Sequence, residues 1–217
     1  MNHNNFRLFI AALTGFILLV ITTSCEKSDD SNNDNPGDDN TTEENYWEPY
    51  KFSANTLYEY DYTFSEEGEM VYEGDVTIEV QDPQVTISGT MNGQEYESVV
   101  NESDEIRDNF IAAVSSTPAS AVLYQSYFVS GFPEDGLETG QTWEYNVSGV
   151  NMYYEVTGKA SYAGYEGHVV EMEWTDGSES LLYTTCINSD MAMPLMSYIY
   201  DEVDQIEYRL ELTNYQE

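Results

Sequence analysis

The chain is poor in positive charge. Its 217 residues carry 6 Lys and Arg against 41 Asp and Glu, for a formal net charge of −35 and a sequence pI near 4.1. That scarcity excludes a nucleic-acid partner, because binding a polyanion needs clustered cations to displace its counterions. It equally argues against charge-driven docking on anionic lipid. Cysteine is scarce as well: Cys25 and Cys186 are the two thiols. Histidine is limited to His3 and His168. A zinc site of ordinary type needs three or four such ligands, so none is expected. The sequence also has no Gly-x-Ser-x-Gly elbow, no phosphate-cradling glycine loop and no dinucleotide fingerprint. A nucleophile-histidine mechanism would have to use His168, which alternates with Val170, Met172 and Trp174 on the more apolar face of its segment. That pattern reads as a core histidine. Paired-carboxylate catalysis of the glycosidase kind is left open by composition. With 41 acids, though, chance pairs are assured and no pair singles itself out.

Long hydrophobic runs are missing too, with one exception near the start. Leu8 to Ile21 is apolar apart from Thr14 and Gly15, and it follows a short polar start containing Arg7. It falls short of the about 20 residues that span a bilayer and has the length of a signal-peptide core. Thr22, Thr23, Ser24 and Cys25 follow. This ending resembles a bacterial lipoprotein signal peptide, with Thr22 standing where that family usually has Leu. The resemblance implies cleavage after residue 24 and acyl chains on Cys25, an anchor worth about 0.8 kcal/mol per buried CH₂. Residues Lys27, Ser28, Asp29 and Asp30 resemble the short acidic export signal of Bacteroidota surface lipoproteins. They imply an outer-membrane, cell-surface location; a periplasm-facing anchor is the alternative.

Residues 25–45 form the expected tether. Beyond Cys25 it has eight acids, Lys27 and no large apolar side chain, so it has nothing to bury. Aromatics begin at Tyr46 and Trp47, and residues 46–217 read as a single domain. This domain keeps 33 acids against Lys51, Arg107, Lys159 and Arg209, so the acidity belongs to its surface and not only to the tether. No cofactor is expected beyond the acyl chains, with divalent cations as weak counterions.

Within the domain, aromatic and β-branched residues are plentiful, including 19 Tyr in the chain, and they follow a period of two. Tyr58, Tyr60, Tyr62 and Phe64 share one face, opposite Glu59, Asp61 and Thr63. Met70 to Val80 and Ile206 to Leu212 alternate in the same way. Further strands are predicted over 84–90, 94–100, 142–148, 152–160, 166–174 and 180–187. Asn92-Gly93 and Asp176-Gly177 are hairpin dipeptides. One helix is predicted, capped by Ser103, with Asp104 and Glu105 in its first turn and an apolar stripe of Ile106, Phe110, Ala113 and Val114. A second helix over part of 119–130 is an open alternative to a strand. The expected fold is mainly β, a β-rich α+β arrangement of about ten antiparallel strands in a curved sheet or open half-barrel, with a β-sandwich as the alternative. The first architecture is similar to the periplasmic lipoprotein-carrier half-barrels.

The sequence therefore points to a non-enzymatic, lipid-anchored binding or structural module of the cell envelope. One alternative is a carrier holding an acyl chain or other apolar ligand in the concave sheet. Another is a glycan-binding or polysaccharide-acting surface protein. An envelope protein is a further candidate partner. Aromatics exposed beside carboxylates are the candidate ligand contacts, namely Tyr46, Trp47, Tyr50, Tyr153 and Tyr183.

Overall fold

The computed structural model describes residues 51–66, 68–123, 137–147, 150–175, 180–200 and 205–217. Cys25, Lys27, Ser28, Asp29, Asp30, Tyr46, Trp47, Tyr50 and the Asp176-Gly177 dipeptide lie outside the described residues.

Ten antiparallel strands form one open, curved sheet. In chain order they are β1 (Thr56–Glu66), β2 (Glu69–Gln81), β3 (Gln84–Met91), β4 (Gln94–Val100), β5 (Thr142–Val147), β6 (Val150–Tyr162), β7 (Tyr165–Thr175), β8 (Ser180–Ile187), β9 (Met196–Tyr200) and β10 (Ile206–Gln216). Among the described residues, two helices, α1 (Ile106–Ser115) and α2 (Ser120–Leu123), lie between β4 and β5 in the chain. The order across the sheet is β4-β3-β2-β1-β10-β9-β8-β7-β6-β5, so the last strand inserts beside the first and joins two meanders. The sandwich alternative is thereby corrected. All ten strands share one sheet, because β10 pairs with both β1 and β9 and leaves no break at which a second layer can start.

The period-two pattern decides which face is buried. Tyr58, Tyr60 and Tyr62 are almost fully buried, and across the strands they meet Ile78, Val76 and Gly74 of β2. Helix α1 lays Phe110, Ala113 and Val114 on β3 and β4, and Phe52 wedges between Tyr58 and Phe110 with ring centroids 5.9 and 4.8 Å away. The β8–β9 connection folds over the same face and buries Met191, Ala192, Met193 and Leu195. Each large apolar side chain taken out of water here contributes about 1.5–3 kcal/mol.

The buried phenols are satisfied by backbone. Tyr60 donates to the Pro194 carbonyl at 2.9 Å and Tyr208 to the Val122 carbonyl at 2.8 Å, while Tyr58 accepts from the Ala192 amide at 3.3 Å. These bonds tie the covering segments to the sheet. Burial pushes the Tyr60 and Tyr208 phenols well above their ordinary value and that of Tyr72 up to about 12.

Two inner-face glycines let strands approach closely. A Cβ at Gly74 would lie 1.9 Å from the Thr90 carbonyl oxygen, and one at Gly89 would lie 2.1 Å from that of Asp75. Tyr62 and Tyr96 lie across these glycines and donate to the same two carbonyls, at 2.7 and 3.1 Å. An aromatic ring thus replaces the side chain that glycine lacks. The Asn92-Gly93 turn joins β3 to β4 with φ of 50° and 74°, the double positive φ that its dipeptide favours.

The helix starts later than the sequence suggests. Glu105, not Ser103, is the residue before its first turn, and the Ser103 hydroxyl instead accepts from the Glu105 amide at 3.1 Å. Asn109 organises the entry. Its Oδ1 accepts from the amides of Glu102 and Ser103, and its Nδ2 donates to the carbonyls of Pro83 and Ser103. A buried amide with its capacity filled in this way replaces the expected cap.

Candidate functional site

Over β1–β3 and β8–β10, the inner face is filled by α1, the 117–123 segment and the 188–195 connection. The outer face is where side chains remain available. Its geometry follows from register. Glu144 of β5, Tyr153 of β6, Glu173 of β7, Leu182 of β8, Tyr200 of β9 and Ile206 of β10 are successive cross-strand partners. At a strand spacing of about 4.8 Å this row runs roughly 24 Å across the sheet. Tyr153 is 42% exposed, Leu182 36% and Ile206 42%. Beside it runs a second row: Thr142, Glu155, Glu171, Thr184, Tyr198, Arg209, Thr63 and Glu73. On β8 the outward residues Thr184 and Cys186 are buried, so Leu182 is the exposed apolar contact of that strand.

Tyr153 is exposed, with a carboxylate directly opposite on either side, Glu144 and Glu173. The expectation for Tyr183 is corrected. It points inward, is fully buried, and donates to Ser197 Oγ at 3.1 Å. One residue of offset on a strand reverses the face. Leu182 and Tyr200 were not anticipated, and Ile206, expected in the inward row with Tyr208 and Leu210, is instead exposed beside Tyr200 because the pairing shifts between Ile206 and Tyr208. The run Ser180–Ile187 lacks alternation, so its outward residues become legible only through the β7 and β9 register.

A groove of about 400 Å³ opens on the same face where β10, β1, β2 and β3 run together. Its polar lining comprises Asp61, Thr63, Glu73, Thr90 and Arg209. Thr90 donates to Asp75, which stands opposite Asp61. Arg209 is held by an ion pair with Glu211, whose other oxygen accepts from Tyr198. Burial pushes the Glu211 carboxyl up, but the Arg209 and Tyr198 hydrogen bonds outweigh it and hold it below its ordinary range. The Tyr198 phenol is raised, by burial first and then by its bond to that carboxylate. Two carboxylates, two hydroxyls and a fixed guanidinium make the groove suited to a hydroxyl-rich polar ligand.

His168 pairs with Lys159 across β6 and β7. Partial burial, and then the Lys159 ammonium, hold its pKa below the ordinary value. Cys186 is buried, its thiol pushed up to about 12 by burial, with Sγ 3.8 Å from the Ala160 carbonyl. It packs as a small hydrophobe. Among the described residues, no cluster of three or more His, Cys, Asp or Glu side chains is arranged to hold a metal ion.

No family model matches the chain, and no curated protein matches it in sequence. Solved structures do match in part. One is MucB, at 12% identity over 75% of this chain and 53% of that one, with a TM-score of 0.35. Another is the Pseudomonas aeruginosa MucA/MucB complex, at 14% identity over 74% of this chain and 51% of that one, TM-score 0.39. A third is an exported protein with a YmcC-like fold from Bacteroides fragilis NCTC 9343, at 13% identity over 79% of this chain and 99% of that one, TM-score 0.39. The chain spans about half the length of the MucB structures it matches. At these scores the likeness carries no argument about architecture, ligand or partner.

Proposed function

We propose that the chain is a non-enzymatic binding module of the cell envelope, held to the outer membrane by acyl chains on Cys25 and facing the cell exterior. Residues 1–24 are the signal peptide, 25–45 the tether and 46–217 the binding domain. The observation that carries the binding reading is the contrast between the two faces of the sheet. The inner face over β1–β3 and β8–β10 is filled by the chain's own segments, and the outer face keeps an exposed aromatic and apolar row. The filled inner face disfavours the carrier alternative over those strands. The sequence around Cys25 supports the anchor.

Cell fractionation and surface proteolysis of the full chain in its own host test the placement. The expected result is a membrane-bound chain that external protease removes, and a Cys25→Ala chain released to the soluble fraction. A Cys25→Ala chain that stays in the membrane would overturn the anchor, and a protected wild-type chain would place it facing the periplasm.

A second reading, a sugar ligand, is favoured by the groove with Asp61, Glu73 and Arg209. Glycan-array binding that disappears in Asp61→Asn/Glu73→Gln would support it. No signal above background would remove it.

A further inference from the structure

The exposed row on β5–β10 has an unusual setting. Tyr153 stands between Glu144 and Glu173, with Glu155 two residues along its own strand and Glu171 diagonal to it. Glu155 and Glu171 are themselves direct cross-strand partners, an arrangement of like charges that costs stability. Among the described residues, no ion pair is made by these four carboxylates. Arg209, on the same face at β10, is paired with Glu211.

Resting on the binding-module reading, we infer that the outer face of β5–β10 docks a cationic amphipathic segment of another polypeptide. Apolar side chains of that segment cover Tyr153, Leu182, Tyr200 and Ile206, and its Lys or Arg side chains reach Glu144, Glu155, Glu171 and Glu173. Charge complementarity selects this occupant. The chain's own tether holds eight acids and one Lys and is repelled. A second copy of the same face brings like charge to like, and so do anionic headgroups. A cation over the Tyr153 ring gains from the ring quadrupole as well as from the flanking carboxylates. The apolar side chains give the segment a desolvated centre, which charge alone does not provide.

The test is photo-crosslinking of the full lipid-anchored chain in its native membrane. A benzophenone amino acid is placed at position 153, at 182, or at Val99 on β4, the opposite edge of the sheet, where the native side chain is 53% exposed. Crosslinks from 153 and 182 are expected on a polypeptide segment that mass spectrometry shows to carry Lys or Arg beside apolar residues. With the probe at 182, Glu144→Gln/Glu173→Gln and, separately, Tyr153→Ser are expected to lower the yield at least about tenfold, as loss of a central contact does. Glu95→Gln/Glu97→Gln on β4 makes the same charge change elsewhere and is expected to leave the yield unchanged. Equal losses from the two Gln pairs would mean non-specific attraction and overturn the inference. Crosslinks to sugar, to lipid or to an acidic segment would also overturn it. Crosslinks from 99 alone would overturn it while leaving a binding module in place. No crosslink from any position would overturn both.

Discussion

Tyr183 and Tyr153 lie on neighbouring parts of the sheet, and Met172 and Glu173 of β7 are their respective cross-strand partners. Tyr183 faces inward, with its hydroxyl on Ser197 and no exposed surface. Tyr153 faces outward between two carboxylates. The same residue type thus serves packing on one face and stands available on the other. What separates the two is whether the ring is covered and the phenol bonded within the fold. In a chain this rich in tyrosine, aromatic content marks a binding face only after the inward row has been subtracted.

The largest effect that can break this comparison is alkaline unfolding. Burial raises the phenols of Tyr60, Tyr208 and Tyr72 above the ordinary 10.0, so the fold favours their protonated form. Their contribution is fully present below pH 10 and is lost as pH rises, Tyr72 itself ionising at about 12. Phenolate absorbance and circular dichroism followed together are expected to show these inner tyrosines ionising with loss of the sheet. Complete ionisation near pH 10 with the fold intact would mean that the inner face is open to water.

Next in size is Tyr208→Ala, which removes a buried ring and its bond to Val122. Chemical denaturation is expected to show a loss of about 3–5 kcal/mol. Gly74→Ala follows, since its methyl would press on the Thr90 carbonyl at 1.9 Å and force β2 and β3 apart. About 1–3 kcal/mol is expected from that strain. A loss below about 0.5 kcal/mol would mean that the close approach is easily relaxed.

Salt gives the smallest effect and reports on the outer face. Asp61 and Asp75, like Glu155 and Glu171, stand directly opposite one another. Screening to a Debye length of about 8 Å should relieve part of that repulsion. The melting temperature is expected to rise by a few degrees from low to physiological ionic strength. An unchanged value would mean that the like-charge pairs cost nothing.

Most of the sheet was legible because its strands are half-buried and alternate. Tyr58–Phe64 and Val76–Val80 announce their faces without help. Strand β9 received no range of its own from the sequence: Met196, Ser197 and Ile199 are buried and Tyr198 and Tyr200 half-buried, so burial on both faces removes the alternation. The helix stripe was legible, but its start was not, because the entry depends on Asn109 reaching the Pro83 carbonyl, a contact remote in sequence. Of the outer row, the sequence singled out one residue, Tyr153. Leu182, Tyr200 and Ile206 join it only through the pairing of four hairpin arms, and the Arg209 groove depends on β10 inserting beside β1. Neither arrangement leaves a local pattern in the chain.

The opposite roles of the two faces are tested most directly by urea unfolding of Tyr183→Ala and Tyr153→Ala side by side. The account predicts a loss of about 3–5 kcal/mol for Tyr183→Ala and a change within about 0.5 kcal/mol for Tyr153→Ala. A loss above about 2 kcal/mol for Tyr153→Ala, or none for Tyr183→Ala, would contradict it.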